Sequence, residues 1–334
     1  MQKTWTSDFQ SIINCNPCGR VLALCLHPAL DVTVYTDGGR QTDVREDLGG
    51  KAVNLARMLY LLGADVTLLA PSDPEGLTAL YLRECGFACE LVKTNLSLRR
   101  NYKYIDTSGR IYEQNTQAGC ISPQHFTQLI DRVLHICRTR QISVLALCGS
   151  FPQGVEKDVY KSLIERAKAL NITCVTDASK DALFLAVQAK PQLIKPNLQE
   201  FCALTEQDLS LLKTQNDVEK AVFAHARRLG VSILCSMDKD GAVFADGQIL
   251  FTVKSQPVLQ VAGFAGAGDT MLASYLFAKY LCNQSYEQSL RFASAAASAK
   301  VRLPANTLPC PDQIFDAWTH TQISGKAEHE IYQK

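Results

Sequence analysis

The sequence predicts an α/β fold, a three-layer arrangement with a mainly parallel central sheet, helices on both faces and a small β-sheet lid. Three observations carry this. Short apolar runs alternate with stretches of helical periodicity along most of the 334 residues. Two stretches, at about 31–47 and 99–115, instead alternate with period two. A hydrophobic content of 47% against 20% charged residues suits the core of one large folded unit and excludes disorder.

Taken in order, residues 1–20 show no periodic pattern and read as an irregular extension. Val21–Leu26 is a buried strand. Asp31–Asp47 alternates Val32 and Val34 with polar residues around an Asp37-Gly38-Gly39 turn, as an antiparallel ribbon does. Between Gly49 and Gly63, Val53, Ala56, Leu59 and Tyr60 recur at helical spacing, and the β-branched run Asp65–Ala70 follows as a strand. Arg100–Asn115 alternates Tyr102 and Tyr104, turns at Ser108-Gly109 and forms a second ribbon. Ser143–Gly149 is a strand, Val155–Leu170 a helix and Ile172–Ala178 a strand; Gln192–Ile194, Ser232–Met237 and Gly241–Gly247 add further strands. Strand, helix, strand at this spacing means parallel βαβ units, with ligands at the strands' carboxyl ends. The two ribbons are too short to fold alone and are expected to form the lid. One domain then spans 21–322, and 325–334 is a frayed tail.

With 34 Lys+Arg against 33 Asp+Glu the net charge is +1, so there is no footprint for nucleic acid and no polybasic membrane patch. Any anion must be held by a local site. The 13 cysteines are scattered and odd in number, which reads as a cytoplasmic protein with reduced thiols rather than a disulfide scaffold. Neither a signal-like start nor an apolar run approaching 18 residues is present. Cys15-Asn16-Pro17-Cys18 lacks a second C-x-x-C to complete a zinc set. No H-E-x-x-H or G-x-S-x-G occurs, which leaves metalloprotease and hydrolase readings without support.

Three segments carry chemistry. Gly266-Ala267-Gly268-Asp269 precedes the apolar stretch Thr270–Leu281. Glycines permit a tight bend with successive N–H groups exposed, and a helix starting there adds its positive dipole end, together an anion hole for a phosphate. Asp269 can take a proton from an attacking hydroxyl; the alternative is a helix N-cap. A dinucleotide fingerprint is disfavoured, since Met271 stands where the third Gly belongs. The second segment, Asp47-Leu48-Gly49-Gly50-Lys51-Ala52-Val53-Asn54, leads paired glycines into a helix with a cation and an amide in its first turn. It is not a P-loop, because Ala52 follows the lysine where Ser or Thr would hold Mg²⁺. Lys51 either binds a ligand phosphate or is solvated. In the third, Lys195-Pro196-Asn197-Leu198-Gln199-Glu200, Asn197 and Glu200 share a helix face and either order hydrated Mg²⁺ or form a capping box.

These segments, in this order, resemble the PfkB-type (ribokinase-like) carbohydrate kinase family over roughly Val21–Ala317. Its two signatures match Leu48–Arg57 and Gly263–Thr270, and the joint occurrence about 215 residues apart is far more specific than either alone. The phosphosugar branch, 1-phosphofructokinase and tagatose-6-phosphate kinase, is resembled most. Leu26-His27-Pro28-Ala29-Leu30-Asp31, Arg99-Arg100-Asn101-Tyr102-Lys103, Glu113-Gln114-Asn115 and Gly149-Ser150-Phe151-Pro152-Gln153-Gly154 are similar to that branch's motifs.

The resemblance implies an ATP-dependent, Mg²⁺-assisted transfer of the γ-phosphate to fructose 1-phosphate or tagatose 6-phosphate. Asp269 is then the base, with Gly266, Ala267 and Gly268 as the anion hole. Asp31, Gly49, Gly50, Asn54, Asn101 and Ser150 bind the sugar, while Lys51, Arg99 and Lys103 clamp its phosphate, as guanidinium and ammonium groups do. Lys195, Asn197, Ser236, Asp238 and Gly241 lie along the nucleotide, with Asn197 and Glu200 toward Mg²⁺. A homodimer through the lid is implied as well. The sequence departs from the family's usual residues at His27, Ala52, Asp238, Gly263 and Phe264. Asp238, Ala52 and Phe264 motivate one alternative, a non-catalytic sugar-phosphate sensor on the same fold; a kinase of an unphosphorylated sugar or nucleoside is the other.

Overall fold

The computed structural model describes residues 5–83, 85–108, 110–116, 119–255, 258, 265–304 and 307–331. Gly263, Phe264 and Gly109, and the side chains of Glu113 and Asn115, lie outside the described part. In chain order the strands are β1 Arg20–Leu24, β2 Ala29–Asp37, β3 Arg40–Gly49, β4 Asp65–Ser72, β5 Ala88–Lys93, β6 Arg99–Asp106 and β7 Ile111–Asn115. They continue with β8 Ile142–Cys148, β9 Thr173–Asp177, β10 Leu193–Ile194, β11 Ser232–Ser236, β12 Ala242–Ala245, β13 Ile249–Lys254 and β14 Gln322–Ala327. Among the described residues, ten strands make one sheet in the order β14-β13-β12-β11-β10-β9-β8-β1-β4-β5 and four make another, β3-β2-β6-β7.

From β11 to β5 every neighbouring pair is parallel. The last three pairings are antiparallel. The turn Met237–Gly241 between β11 and β12 is too short for the crossover that a parallel pair needs. Apolar side chains fill both faces, because a buried parallel strand has no solvent side. One core packs β1, β4 and β8 against the helices Lys51–Leu61, Ala267–Leu276, Tyr286–Val301 and Pro311–Thr319. The other lies under the helices Pro123–Thr139, Val159–Lys168, Lys180–Gln188 and Gln215–Leu229.

Both expected ribbons are present, β2 with β3 and β6 with β7. They are joined because β2 and β6 pair in parallel, from Ala29 opposite Arg99 to Thr36 opposite Asp106. That pairing places Asp31 directly opposite Asn101.

Both ends of the chain differ from expectation. The first 20 residues include the helix Ser7–Ile13, whose Phe9 and Ile12 are fully buried. Phe9 packs against Phe292, Phe315 and Trp318 at ring separations of 5.0–5.9 Å. A helix of seven residues shows too few repeats for periodicity to reveal it, and its stability comes from this aromatic docking. At the other end, residues 325–327 belong to β14, which pairs with β13 from Gln322 to Ala327, and Ile331 is buried. An edge strand with one outward side carries little apolar signal of its own. The expectation of fully reduced thiols also fails: Cys15 is disulfide-bonded to Cys282, with Cα atoms 5.9 Å apart. The bend after the first helix lies beside the end of the helix that runs to Leu281, where Cys18 N donates to Leu281 O. Eleven cysteines among the described residues are free.

Candidate active site

The site lies at the carboxyl ends of the parallel strands, where β1, β8, β9 and β10 each end in a polar loop. Its centre is the start of the helix Ala267–Leu276. Gly266 is the N-cap residue, at φ +77° in the left-handed region that glycine enters without strain. The first intrahelical bond runs from Thr270 N to Gly266 O at 2.8 Å, so the amides of Ala267, Gly268 and Asp269 precede the helical ladder. Asp269 therefore sits inside the first turn. No side-chain capping bond forms there, which removes the N-cap alternative. Its carboxylate, nearly buried, accepts a hydrogen bond from Asn54 Nδ2 at 2.8 Å.

Asn54 comes from the second segment. Gly49 and Gly50 end β3 and open the helix Lys51–Leu61. Gly49 is there because a Cβ would sit 1.8 Å from Asp31 Oδ2. Asp47 and Arg57 close this loop with two hydrogen bonds of 2.8 and 3.0 Å. The first turn then points Lys51 and Asn54 into the cleft. Lys51 Nζ donates to Asp177 Oδ1 at 2.5 Å, and Lys195 Nζ lies 3.1 Å from Asp177 Oδ2. Asp177, at the end of β9, is 1% exposed and thus an acid held between two lysines. A Cβ on Gly268 would be 3.2 Å from Lys195 Nζ, so the absence of a side chain at 268 lets that ammonium approach the bend.

The electrostatics follow from this grouping. Burial pushes the Asp269 carboxyl up, repulsion from Asp177 adds to it, and the Asn54 hydrogen bond, Lys51 and Lys195 only partly offset them; it reaches about 6. Burial also works against the Asp177 charge, but Lys195 and Lys51 win and hold its carboxyl low. Lys51 loses hydration, yet Asp177, with Asp269 and Glu200 adding, raises its affinity for the proton. One of three facing acids and amines is thereby left poised between states, the usual mark of a group that exchanges a proton.

Next to this centre is a cavity of about 210 Å³ lined by His27, Gly50, Lys51, Arg99 and Ser150, among others. His27 Nε2 and Arg99 Nε are buried without a hydrogen-bond partner, as is Asn101 Oδ1. Orphaned polar atoms in a concave place are what a polar ligand satisfies. Asn101 Nδ2 donates to Asp31 Oδ1 at 2.7 Å, and burial raises the Asp31 carboxyl despite that bond and the nearby Arg99. Burial and then Arg99 push the His27 imidazole down to about 4, so it is neutral, with Nδ1 3.4 Å from Ser150 Oγ. Lys103, on β6, is half-buried.

A larger cleft of about 740 Å³ opens beyond β10 and β11, lined by Asn197, Leu212, Lys213, Met237 and Asp238. Asn197 and Glu200 form the capping box: Glu200 N donates to Asn197 Oδ1 at 2.8 Å and Asn197 N to Glu200 Oε2 at 3.0 Å. Ser236 N donates to Pro196 O at 3.0 Å and joins the two strand ends. A Cβ on Gly241 would collide with Val253 O. Asp238 is exposed on the rim with φ +51°, in the left-handed region that Asp tolerates better than most residues.

The structure thus gathers Asp269, the 266–268 bend, Asn54, Lys51 and Lys195 in one place and sets Asp31, Arg99, Asn101 and Ser150 beside them. Lys51 lines the smaller cavity, but its ammonium is taken by Asp177. Sequence reasoning missed Asp177, Lys300 and the lining role of His27. Asp177 ends a strand already recognised, and the rule that ligands gather at strand ends pointed to it. Lys300, buried against the Gly266 bend, directly follows the alanine-rich stretch Ala295–Ala299, and a charge at the end of so apolar a run is a signal of a buried cation.

Comparison with known proteins finds sugar-phosphate kinases. A 1-phosphofructokinase of Vibrio cholerae is 27% identical over 313 residues, 91% of this chain and 96% of its own. The ATP-dependent 6-phosphofructokinase isozyme 2 of Escherichia coli is 28% identical over 295 residues, 84% of this chain and 92% of its own. The crystal structure of phosphofructokinase-2 from Escherichia coli in complex with fructose-6-phosphate has a TM-score of 0.79 at 26% identity, covering 90% of this chain and 99% of that one. The sequence pattern of the pfkB family carbohydrate kinases matches residues 24–313, a span that holds both glycine segments and every residue placed at the site above, and the chain belongs to that family.

Proposed function

We propose that the protein is an ATP-dependent kinase of a ketohexose phosphate, converting fructose 1-phosphate or tagatose 6-phosphate to the 1,6-bisphosphate. The observation that carries this is the Asp269 carboxylate, raised to about 6 and fixed by Asn54 beside the amides of the Gly266 bend. A base needs an affinity for the proton close to the working pH, and a phosphoryl group in transfer needs preorganised donors. Asp269 takes the proton of the acceptor hydroxyl as it attacks the γ-phosphate in line. The amides of Ala267 and Gly268 and the ammonium of Lys195 meet the charge on the phosphoryl group. Asp31, Asn101 and Asn54 orient the sugar hydroxyls, with Gly49 and Gly50 letting the ring close on the backbone. The four-stranded sheet covers the sugar and keeps water from acting as acceptor. ATP lies along the 740 Å³ cleft, with Ser236, Asp238 and Gly241 at its rim.

Asn197 and Glu200 suit Mg²⁺ held through water. Glu200 uses one carboxylate oxygen in the capping box, which leaves Oε1 for a metal-bound water. When bound, Mg²⁺ supplies charge neutralisation on the nucleotide. A cytoplasmic site of action and a homodimer through the small sheet belong to the same reading. Tyr102, Tyr104 and the exposed Tyr112 stack along that sheet and support the second.

The test is ADP release over a panel of acceptors. Fructose 1-phosphate or tagatose 6-phosphate should exceed fructose and ribose by kcat/KM. Fructose 6-phosphate belongs in the panel because relatives bear both 1- and 6-phosphofructokinase names. Better turnover of a neutral sugar rejects the phosphosugar reading; tight binding with no ADP on any sugar makes the protein a sensor. Arg99 gives a second check. Arg99 lines the cavity and its buried Nε has no partner, so Arg99→Ala should raise KM for the phosphosugar by about 10- to 100-fold and leave KM for ATP within about twofold. Equal effects on both substrates remove Arg99 from the phosphate clamp.

A further inference from the structure

Lys300 has no part in the mechanism above, yet it is 2% exposed and lies against the bend that the mechanism uses. It projects from the end of the helix Tyr286–Val301, and its Nζ donates to Pro304 O at 3.0 Å. Its Cε would be 3.4 Å from a Cβ placed on Gly266, the same shell that holds Asn54 Nδ2 at 3.6 Å. Asn54 and Lys300 thus meet the same side of the bend, each from its own helix. Burial is the largest influence on its amine and lowers it; Asp269 raises it and Lys103, on β6, lowers it, with a net value of about 8. A methylene stem alone would fill this space without the desolvation of an ammonium, so packing does not account for a charge here.

We propose that Lys300 is a positioning residue for phosphoryl transfer: its ammonium, anchored on the Pro304 carbonyl, holds the Gly266 bend in register and places a fixed positive charge beside the amides that face the phosphoryl group. The proposal rests on reading that bend as the anion hole. A charge beside the hole acts most on the state in which negative charge on the phosphoryl oxygens is greatest, so its loss falls on kcat rather than on ground-state binding. The proton on Lys300 is held by Asp269 and opposed by Lys103, and the active form has Lys300 charged and Asp269 ionised.

Three measurements decide it. In wild type, kcat should fall on the alkaline side near pH 8, and Lys300→Arg should move that limb upward by more than one pH unit, since guanidinium does not titrate there. Lys300→Met should lower kcat by about 10²-fold with both KM values within about threefold. Without any sugar, calorimetry should show that beryllium fluoride tightens ADP binding in wild type and at least about tenfold less in Lys300→Met, with ADP alone unchanged. A purely structural lysine would leave the alkaline limb and the fluoride gain where they were. Wild-type kcat in Lys300→Met, an unmoved limb in Lys300→Arg, or an equal fluoride gain overturns the proposal. If Lys300→Met does not fold, the arginine variant and the wild-type limb still decide, and absence of any alkaline limb between pH 7 and 9 also overturns it. Failure of every sugar in the panel together with a Lys300-dependent fluoride gain would reject the acceptor assignment and uphold this one.

Discussion

Asp269→Asn should lower kcat by about 10²–10⁴-fold while the enzyme still binds its sugar and ATP. The amide keeps the shape of the carboxylate and an oxygen that can accept from Asn54 Nδ2, so the helix start and the cleft stay in place. What disappears is the base. In wild type, kcat should decline as pH drops through about 6, where Asp269 takes up a proton before the acceptor can offer one. The variant's residual rate should lack that acid limb. A stability measurement adds a second, independent sign. The folded carboxyl is raised above its unfolded value, so the folded state disfavours the ionised form, and wild type is penalised at every pH above about 6. The neutral amide of the variant carries no such penalty. The variant should therefore melt at a higher temperature than wild type at pH 7.5, the difference shrinking below pH 6 and vanishing near the usual carboxylate range. Wild-type-like turnover in the variant would remove Asp269 from the mechanism. A lower melting temperature at pH 7.5 would mean that the carboxylate is a structural partner rather than a strained base.

The parallel core strands were legible because each is a short apolar run bounded by polar loops, and burial on both faces demands that composition. Asp269, Asn54 and Lys51 were legible because glycine marks where the backbone must bend or approach. What the sequence hid was what depends on packing between distant segments. The helix Ser7–Ile13 has two inward residues, Phe9 and Ile12, and is held by aromatic side chains some 280–310 positions away. The strand Gln322–Ala327 exists because β13 offers it an edge, since Gln, Ser, Gly and Lys make four of its six residues. The parallel pairing of β2 with β6 joins two ribbons that local pattern could only describe one at a time. Asn197 and Glu200 show a different limit. The same two residues satisfy a helix cap and suit a hydrated ion, and spacing does not separate uses that are compatible. Asp177 was hidden by context of another kind: a single acid at a strand end is ordinary until two lysines from Gly-Gly-Lys and Lys-Pro-Asn segments are found upon it.

That arrangement makes Asp177 a residue whose removal should cost stability as well as activity. Lys195 is 4% exposed and meets Asp177 with its ammonium; Lys51 meets the other oxygen. Asp177→Ala leaves the buried Lys195 ammonium without its partner, while the Lys51 side chain, 37% exposed, can turn to water, so the loss should fall toward the lower end of the about 3–5 kcal/mol that breaking a buried pair costs. Urea unfolding should show this as a lower midpoint with an unchanged slope. The wild-type pH dependence has a definite sign. The Asp177 carboxyl is held below its unfolded value, so its contribution is present above the usual carboxylate range and is lost as pH falls through the folded value. Lys51 is raised, so its share is present at neutral pH and is lost only as pH rises through its folded value, above the ordinary lysine range. The deletion also reaches the chemistry. Asp177 is the second-largest influence raising Asp269, and without it Lys51 and Lys195 turn to the remaining carboxylate. The acid limb of kcat should then move below pH 6, with a weaker base and a slower reaction. A double variant, Asp177→Ala with Lys195→Met, separates the two effects. Removing the stranded cation should return part of the lost stability and none of the activity, because the ammonium beside Gly268 has gone. Additive losses in that cycle would show that the two residues do not act as a pair.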